Sequence, residues 1–330
     1  MRTMKHLVLA ISLAASSALA QPAPALLPAL NVDAARSSVS GISAGGYMAV
    51  QLHVAHSARF GAGAGVIAGG PFYCAEGSVL SALTRCFGKT SIPVESLIET
   101  TRKWAADKAI DPLPGLANSK VYVFSGAKDS VIPPATSEAL VKYYAAFLPE
   151  KNIVFKRDVP AEHGFVTDEG PAACDNKAAP FLNNCGFDLA GAILAHIHGP
   201  LVARSAGAPQ GSLIAFDQSA FEAGHGMGAI GYVYVPKACA GGESCRVHVV
   251  LHGCKQNATD VGDAFAKGAG FNRWADTNRL VILYPQTGKG ATNGCWDWWG
   301  YDDANYAKQS APQMRAIMAM LDRLSSGPKK

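Results

Sequence analysis

Residues 41–45, Gly-Ile-Ser-Ala-Gly, decide how this chain folds, and Gly46 extends the run of small residues. Residues 37–43 are predicted as a strand that runs into a tight turn, and residues 47–56 as the helix that follows. A serine at such a turn sits in strained backbone, so the residues two positions before and after it must be small. The turn lifts the hydroxyl of Ser43 clear of the sheet and makes it a candidate nucleophile. The alternative is an ordinary glycine turn with a solvent-facing serine.

Strand and helix patterns alternate along most of the chain, which is typical of βαβ units and a mostly parallel sheet with helices on both faces. This predicts an α/β fold. Two strands near the middle of the chain have no helix between them. The predicted strands after the first are 65–68, 120–125, 152–159, 213–217, 231–235, 246–251 and 280–284. The further predicted helices are 94–108, 137–147, 187–198, 261–276 and 312–324.

A serine nucleophile needs a base and an acid that orients the base, and in α/β-hydrolases both follow the serine, acid first. Asp129 directly follows the strand 120–125, and a carboxylate at the carboxyl end of a strand is well placed to reach an active site. His163 follows the next strand, so the order Ser43, Asp129, His163 is the required one. A turn role for Asp129 is the alternative. The weaker candidates are Asp158, Asp168 and Asp175 for the acid, and His53, His56, His196, His198, His248 and, above these, His225 for the base.

Residues 251–256, Leu-His-Gly-Cys-Lys-Gln, follow an apolar strand and look like the His-Gly segment that supplies an oxyanion-hole N–H in esterases. The second donor would be the N–H of Ala44, and His252 itself is predicted to be structural. This segment normally precedes the nucleophile, whereas here it follows the triad. A circular permutation explains the order, with the Pro- and Gly-rich residues 199–211 as the join between ancestral termini. The other interpretation of residues 199–211 is a domain boundary.

The first twenty residues have the pattern of a signal peptide: Arg2 and Lys5, an apolar run too short to span a bilayer, and Ala18-Leu19-Ala20 before the cut. No membrane anchor is expected. Removal of these twenty residues from 330 leaves 310 and lowers the formal charge from +4 to +2. Such a small charge gives no reason to expect nucleic acid as a partner. The protein is predicted to be secreted, into the periplasm or the medium.

Eight cysteines after a signal peptide indicate disulfides. A metal site is not predicted, because the chain has no C-x-x-C pair and no H-E-x-x-H helix. Eight cysteines allow 105 connectivities, so the sequence leaves the pairing open. The simplest arrangement closes three short loops and one long one. Its pairs are Cys74 with Cys86, Cys174 with Cys185, Cys239 with Cys245, and Cys254 with Cys295.

Five segments together resemble the secreted poly(3-hydroxybutyrate) depolymerases that have a circularly permuted α/β-hydrolase catalytic domain. They are GISAGGYMA, SGAKDSVIP, EHGF, LHGCKQN and NGCWDWWGY. The resemblance covers nearly all of the chain after residue 20. It implies Ser43 as nucleophile, His163 as base, Asp129 as its orienter, and oxyanion donors at Ala44 and Cys254. It also implies one catalytic domain over 21–330, without the separate polymer-binding domain of larger relatives.

Residues 295–301, Cys-Trp-Asp-Trp-Trp-Gly-Tyr, place Trp296, Trp298 and Trp299 in one loop. All three are candidate substrate-binding residues, although one or two of them are expected in the core. The expected function is hydrolysis of a polyester of short 3-hydroxy acids, without cofactor, by a monomer. A feruloyl or acetylxylan-type carbohydrate esterase is the enzymatic alternative, and a catalytically silent secreted polymer-binding protein is the third interpretation.

Overall fold

The computed structural model describes residues 24–221 and 224–328, so the predicted signal peptide 1–20 lies outside the described residues. An eight-stranded sheet with the order β4-β3-β2-β1-β10-β11-β9-β8 runs through the molecule. Its strands are β1 Val32–Ile42, β2 Gly63–Ile67, β3 Lys120–Phe124, β4 Ile153–Lys156, β8 Ser212–Asp217, β9 Ile230–Val235, β10 Cys245–Leu251 and β11 Leu280–Tyr284.

Strands β4, β3, β2, β1, β10 and β11 pair in parallel, and β9 is antiparallel to both of its neighbours, β11 and β8. Every residue of β2 and of β11 is buried, as expected of central parallel strands covered on both faces. Parallel pairing brings the carboxyl ends of these strands to one edge of the sheet. The segments that follow β1, β3, β4 and β10 therefore begin at that edge.

The helices connect the strands and pack against them. Those of eight or more residues are α1 Ala44–Ala55, α3 Val94–Ala106, α4 Pro134–Ala145, α5 Leu189–His198, α9 Phe271–Asn278 and α10 Pro312–Leu324. Shorter ones are α2 Val79–Ser81, α6 Lys237–Ala240, α7 Ala258–Val261 and α8 Ala264–Gly268, with a π-helical turn at Ala82–Cys86.

The single helix predicted over 261–276 is wrong. The chain forms three short helices there, because Gly262 and Gly270 adopt positive φ angles of 61° and 85° between them. Glycine takes up this left-handed backbone without strain, and each such residue ends the helical hydrogen-bond pattern.

The sheet order confirms the predicted fold class. Strands β8–β11 form one end of the sheet and strands β1–β4 the other, although β8–β11 come later in the chain. Hydrogen bonds between β1 and β10 join the two sets. The segment 199–211 connects α5 to β8, and Arg204 anchors it through ion pairs with Asp168 and Asp188. The architecture is a circularly permuted α/β-hydrolase fold.

A second, three-stranded sheet was not predicted. It consists of β5 Phe165–Thr167, β7 Leu182–Asn184 and β6 Ala172–Ala173 in that spatial order. Strands of two or three residues are too short to show an alternating pattern in sequence. This small sheet begins two residues after His163. Across the described ranges, no helix is long and apolar enough to cross a membrane.

Candidate active site

Ser43 lies between β1 and α1 with φ 56° and ψ −123°, a conformation that non-glycine residues rarely adopt. The small neighbours are needed for steric reasons. A Cβ atom at Gly41 would lie 2.2 Å from the carbonyl oxygen of Gly45, and one at Gly45 would lie 2.4 Å from that of His252. The backbone of the turn therefore touches both itself and the segment after β10, and this packing holds the serine in its strained position.

Among the residues that the structure describes, two backbone N–H groups near Ser43 have no acceptor. Ala44 is the first residue of α1, where an N–H has no partner inside the helix. In the segment after β10, Gly253 donates to Gln256 Oε1 at 2.8 Å and Lys255 donates to the carbonyl of Asn293 at 3.1 Å. Between them, the N–H of Cys254 has no hydrogen-bond acceptor within the described part of the chain. Two free donors beside a serine suit an anionic oxygen.

Asp129 and His163 come together after β3 and β4. Asp129 Oδ2 accepts a hydrogen bond from His163 Nδ1 at 2.8 Å, and Oδ1 accepts from the N–H groups of Val131 and Ile132 at 2.9 and 2.8 Å. The carboxylate is buried, and the imidazole is 12% exposed. Because Nδ1 donates to the carboxylate, Nε2 is left as the basic nitrogen.

Glu162, next to His163, connects the segments that carry the acid and the base. Its Oε1 accepts hydrogen bonds from the backbone N–H of Ser130 at 2.9 Å, from Ser130 Oγ at 2.8 Å and from the N–H of His163 at 3.1 Å. Burial by itself raises the pKa of Glu162. The hydrogen bonds from Ser130 and His163 together lower the pKa by more than burial raises it, so the net pKa is below the usual value. Its carboxylate is therefore ionised at neutral pH.

His252 is fully buried and structural, as the sequence predicted. Its Nδ1 donates to the carbonyl oxygen of Gly253 at 2.7 Å, and its Nε2 accepts from the N–H of Thr287 at 3.1 Å. Burial lowers the pKa of His252 to about 4, so the ring stays neutral. It shapes the backbone just before Cys254 rather than acting on a substrate.

The other histidine candidates lie in different surroundings. His225, the strongest alternative base, has a side chain that is 40% exposed, and its Nδ1 forms a hydrogen bond with Asp302 Oδ2 at 2.9 Å. His53 and His248 are fully buried and bonded to hydroxyl groups. Burial lowers the pKa of His53 to about 3.

The tryptophan loop has a buried carboxylate at its centre. Asp297 accepts hydrogen bonds from four backbone N–H groups, those of Gly300, Tyr301, Asp302 and Asp303. Burial raises the pKa of Asp297, and the four hydrogen bonds oppose that increase. The Asp297 carboxylate therefore ties together the backbone of residues 300–303.

The prediction that Trp296 contacts substrate is wrong. Its side chain is fully buried, and its Nε1–H donates to the carbonyl oxygen of His252 at 3.1 Å. The two other rings line the cavity at Ser43. Trp298 stacks on Tyr47 at 4.2 Å between ring centroids, with an interplanar angle of 11°, and Trp299 meets Trp298 edge to face at 5.1 Å.

The cavity beside Ser43 has a volume of about 420 Å³. Its wall is mostly apolar, and Lys255 is the only charged residue among those of the described ranges that line it. Ile132, three residues after Asp129, also lines it, which places the acid's loop at its edge. No local sequence pattern predicted several of the lining residues, because they come from separate segments. These are Tyr47, Val79, Ala82, Leu83, Phe87, Thr292 and Asn293.

Four disulfides are present, and they join the pairs of the simplest arrangement: Cys74–Cys86, Cys174–Cys185, Cys239–Cys245 and Cys254–Cys295. Cys254–Cys295 joins the segment after β10 to the tryptophan loop. Cys74–Cys86 holds the π-helical turn, whose Cys86 carbonyl accepts a hydrogen bond from Tyr47 Oη at 2.8 Å. Two of the bonds therefore support the cavity wall.

The sequence of this chain is similar to those of known depolymerases. The family model Esterase PHB depolymerase matches residues 230–323. A poly(3-hydroxybutyrate) depolymerase of Delftia acidovorans is 56% identical over 91% of this chain. A polyhydroxybutyrate depolymerase of Talaromyces funiculosus is 37% identical over 93% of this chain and 95% of its own length. The chain belongs to the polyhydroxybutyrate depolymerase family. It spans 62% of the length of its Delftia relative.

Solved structures of the polyhydroxybutyrate depolymerase family agree with the fold. The crystal structure of PHB depolymerase from Penicillium funiculosum superposes with a TM-score of 0.86 at 36% identity, over 91% of this chain and 99% of that one. A serine-to-alanine variant of a PHB depolymerase, complexed with an R3HB trimer, gives the same values. The family resemblance expected from five short segments is confirmed over nearly the whole described chain.

Proposed function

We propose that this protein is a serine esterase that hydrolyses poly(3-hydroxybutyrate) or its oligomers through an acyl-enzyme on Ser43. The observation that carries the proposal is the 2.8 Å hydrogen bond between His163 and Asp129, whose loop also supplies Ile132 to the wall of the cavity that contains Ser43. The free N–H groups of Ala44 and Cys254 complete the set of groups that acyl transfer needs. Membership of the depolymerase family supports the choice of polyester.

The reaction follows from these positions. His163 Nε2 removes the proton from Ser43 Oγ as the oxygen attacks the ester carbonyl, and Asp129 stabilises the imidazolium that forms. The N–H groups of Ala44 and Cys254 donate to the oxygen of the tetrahedral intermediate, each worth about 3–4 kcal/mol in the transition state. His163 then protonates the alkoxide oxygen that leaves as the C–O bond of the ester breaks, which gives the hydroxyl end of the released polymer. Water, deprotonated by His163, releases the acid from Ser43.

The cavity wall favours a polyester over a carbohydrate ester. A sugar presents many hydroxyl groups that need hydrogen-bonding partners, whereas Tyr47, Phe87, Trp298 and Trp299 offer ring surfaces. Methyl-bearing ester units of 3-hydroxybutyrate suit such a surface. Of the described lining residues, only Lys255 is charged.

Exposed apolar side chains beside the cavity fit a water-insoluble polymer. Val79 is 59%, Leu80 70% and Leu83 49% exposed, and they project from α2 and the adjoining π-helical turn. Large apolar groups that cluster at the surface mark an interaction site. We expect contact with amorphous or already shortened polymer to occur here.

We also propose that residues 21–330 act as one secreted catalytic domain. The pattern of residues 1–20 and the four disulfides support export to an oxidising compartment. Expression of the full chain, followed by N-terminal sequencing of exported protein, tests the cut before Gln21. Recovery of uncut protein in the cytoplasm only would contradict it.

One assay separates the functions. The purified protein is given amorphous poly(3-hydroxybutyrate) and, separately, feruloylated xylan fragments, with Ser43→Ala as control. We expect release of 3-hydroxybutyrate by wild type and none by the variant. Release of ferulate instead would favour the carbohydrate esterase. Binding to polymer without hydrolysis, with no fluorophosphonate labelling of Ser43, would favour a silent binding protein.

A further inference from the structure

Glu162 makes contacts that the triad by itself does not require. Within the described residues, its side chain accepts three hydrogen bonds, all at Oε1: two from Ser130 and one from the N–H of His163. Ser130 directly follows Asp129, so the carboxylate spans the two segments that carry the acid and the base. Each of these segments leaves a different strand, and the sheet alone does not set the distance between their side chains.

The backbone of Glu162 is itself anchored. Its N–H donates to the carbonyl oxygen of Cys174 at 3.0 Å, and Cys174 is bonded to Cys185. From the same disulfide loop, Lys177 Nζ donates to Ser130 Oγ at 2.9 Å. The loop 174–185 therefore touches both catalytic segments, once through each partner of the Glu162–Ser130 pair. The Lys177 charge also favours the ionised form of Glu162.

Main-chain hydrogen bonds also join the two segments, but they are made by residues that come before Asp129 and His163, nearer to the strands. Ala127 donates to the carbonyl of Val159 at 2.8 Å, and Lys128 donates to that of Ala161 at 3.1 Å. Beyond Lys128 and Ala161, and apart from the Asp129–His163 hydrogen bond itself, the described residues join these segments through the two bonds from Ser130 to Glu162. Without the Glu162 carboxylate, these two bonds from Ser130 and the bond from the N–H of His163 would be lost.

We infer that Glu162 is a positioning residue, whose carboxylate holds the Asp129 segment against the His163 segment and so sets the hydrogen bond between acid and base. The inference rests on the proposed function and concerns its geometry. Glu162 touches no reacting atom. It acts through the orientation of His163, and a small displacement of a catalytic base is costly, since about 1 Å can reduce the rate about 100-fold.

The test compares Glu162→Ala with Glu162→Gln on a soluble p-nitrophenyl ester. Glutamine keeps an oxygen that accepts from Ser130 and His163, whereas alanine removes it. We expect Glu162→Ala to lower kcat by about 10- to 100-fold with KM nearly unchanged. Glu162→Gln should stay within about threefold of wild type, since only the charge assistance is lost. The matched control is Glu99→Ala, which removes an exposed glutamate from α3 and should change nothing.

A second readout follows the alignment directly. The proton between His163 Nδ1 and Asp129 gives a low-field NMR signal, which should weaken or move upfield in Glu162→Ala and persist in Glu162→Gln. If Glu162→Ala does not fold, Glu162→Asp takes its place, because its shorter side chain keeps the charge but cannot span the same distance. A folded Glu162→Ala with wild-type kcat and an unchanged signal would overturn the inference.

The two failures are distinguishable. If wild type and Glu99→Ala hydrolyse esters and Glu162→Ala does so equally well, the inference fails and the proposed function stands. If wild type hydrolyses no ester, the proposed function fails. The NMR signal still tests the alignment in that case, because it needs no substrate.

Discussion

The indole N–H of Trp296 donates to the carbonyl oxygen of His252 at 3.1 Å, and the disulfide between the neighbouring Cys254 and Cys295 lies beside this hydrogen bond. The segment after β10 and the tryptophan loop are thus joined twice within three residues. The N–H of Cys254, the proposed oxyanion donor, lies between the two links. The buried Trp296 therefore holds the backbone just before this N–H in place.

Removal of this disulfide should affect rate as well as stability. We expect the double substitution Cys254→Ser, Cys295→Ser to lower the free energy of unfolding by about 2–5 kcal/mol. Without the disulfide, the N–H of Cys254 is held less firmly, so kcat should also decrease. The decrease should approach the factor of about 100 or more that follows complete loss of an oxyanion donor. Urea unfolding and ester kinetics measure the two effects. The control is the double substitution Cys239→Ser, Cys245→Ser. The disulfide that it removes joins cysteines six residues apart, and neither of them lines the cavity. Equal losses of kcat in both double variants would refute the role.

Substitution of the three tryptophans should have different effects on stability and on activity. Trp296→Ala removes a fully buried ring and should cost about 3–5 kcal/mol of stability. Trp299→Ala should fold normally, because its ring is only partly buried, and should lose polymer hydrolysis more than hydrolysis of a soluble p-nitrophenyl ester. The ratio of the two activities, measured for Trp298→Ala as well, decides the question. An unchanged ratio in every folded variant would leave the loop with a structural role alone.

The turn at Ser43 should not tolerate an added methyl group. Gly45→Ala would bring a Cβ atom to 2.4 Å from the carbonyl oxygen of His252, so the turn or the segment after β10 must shift. We expect a loss of kcat by at least about 100-fold, since both the nucleophile and an oxyanion donor move. Gly61→Ala is the matched control, because its nearest neighbour would lie at 3.4 Å. Wild-type kinetics in Gly45→Ala would show that the turn is not constrained as described.

Asp129→Asn should keep the fold and slow the reaction. An amide at this position no longer favours the Nδ1–H tautomer of His163, and losses of about 10⁴-fold in kcat are known for such a change in a serine protease triad. Thermal unfolding checks the fold, and the rate of fluorophosphonate labelling at Ser43 checks reactivity. Asp168→Asn, which touches Arg204 instead, is the control. Full reactivity in Asp129→Asn would remove Asp129 from the triad.

Stability should fall in mild acid because buried histidines stay neutral in the folded state. Burial lowers the pKa of His53 to about 3 and that of His252 to about 4 in the folded state. In the unfolded chain both side chains have a pKa of about 6.5. Between these values only the unfolded chain binds the protons, so the free energy of unfolding decreases as pH falls from about 6.5 towards 4.

Urea unfolding at about pH 7.5 and about pH 5 measures this difference, with a limit of about 1.4 kcal/mol per pH unit for each histidine. The variant His53→Gln has one titrating group fewer and should show a shallower dependence. The same slope in both proteins would exclude His53 as a source.

The chain's own pattern was enough for the fold class and for the family. Alternating strands and helices predicted a mostly parallel sheet, and the late position of LHGCKQN predicted the permutation, which the sheet order confirms. Local signals failed where glycines interrupted an apolar pattern, as in 261–276, and where strands were as short as Ala172–Ala173. In both cases the structure depends on interactions with residues outside the short stretch of sequence over which periodicity is judged.

The sequence by itself determined which residues stand at the ends of strands, because a turn of small residues or a carboxylate after an apolar run is a local feature. Ser43, Asp129 and His163 were predicted in this way. Only the tertiary structure decided what those residues meet. It buried Trp296 under His252, brought Trp298 onto Tyr47, and put Glu162 between Ser130 and His163. Such contacts join segments far apart in the chain, and they depend on packing and hydrogen-bond geometry that exist only once the sheet has formed.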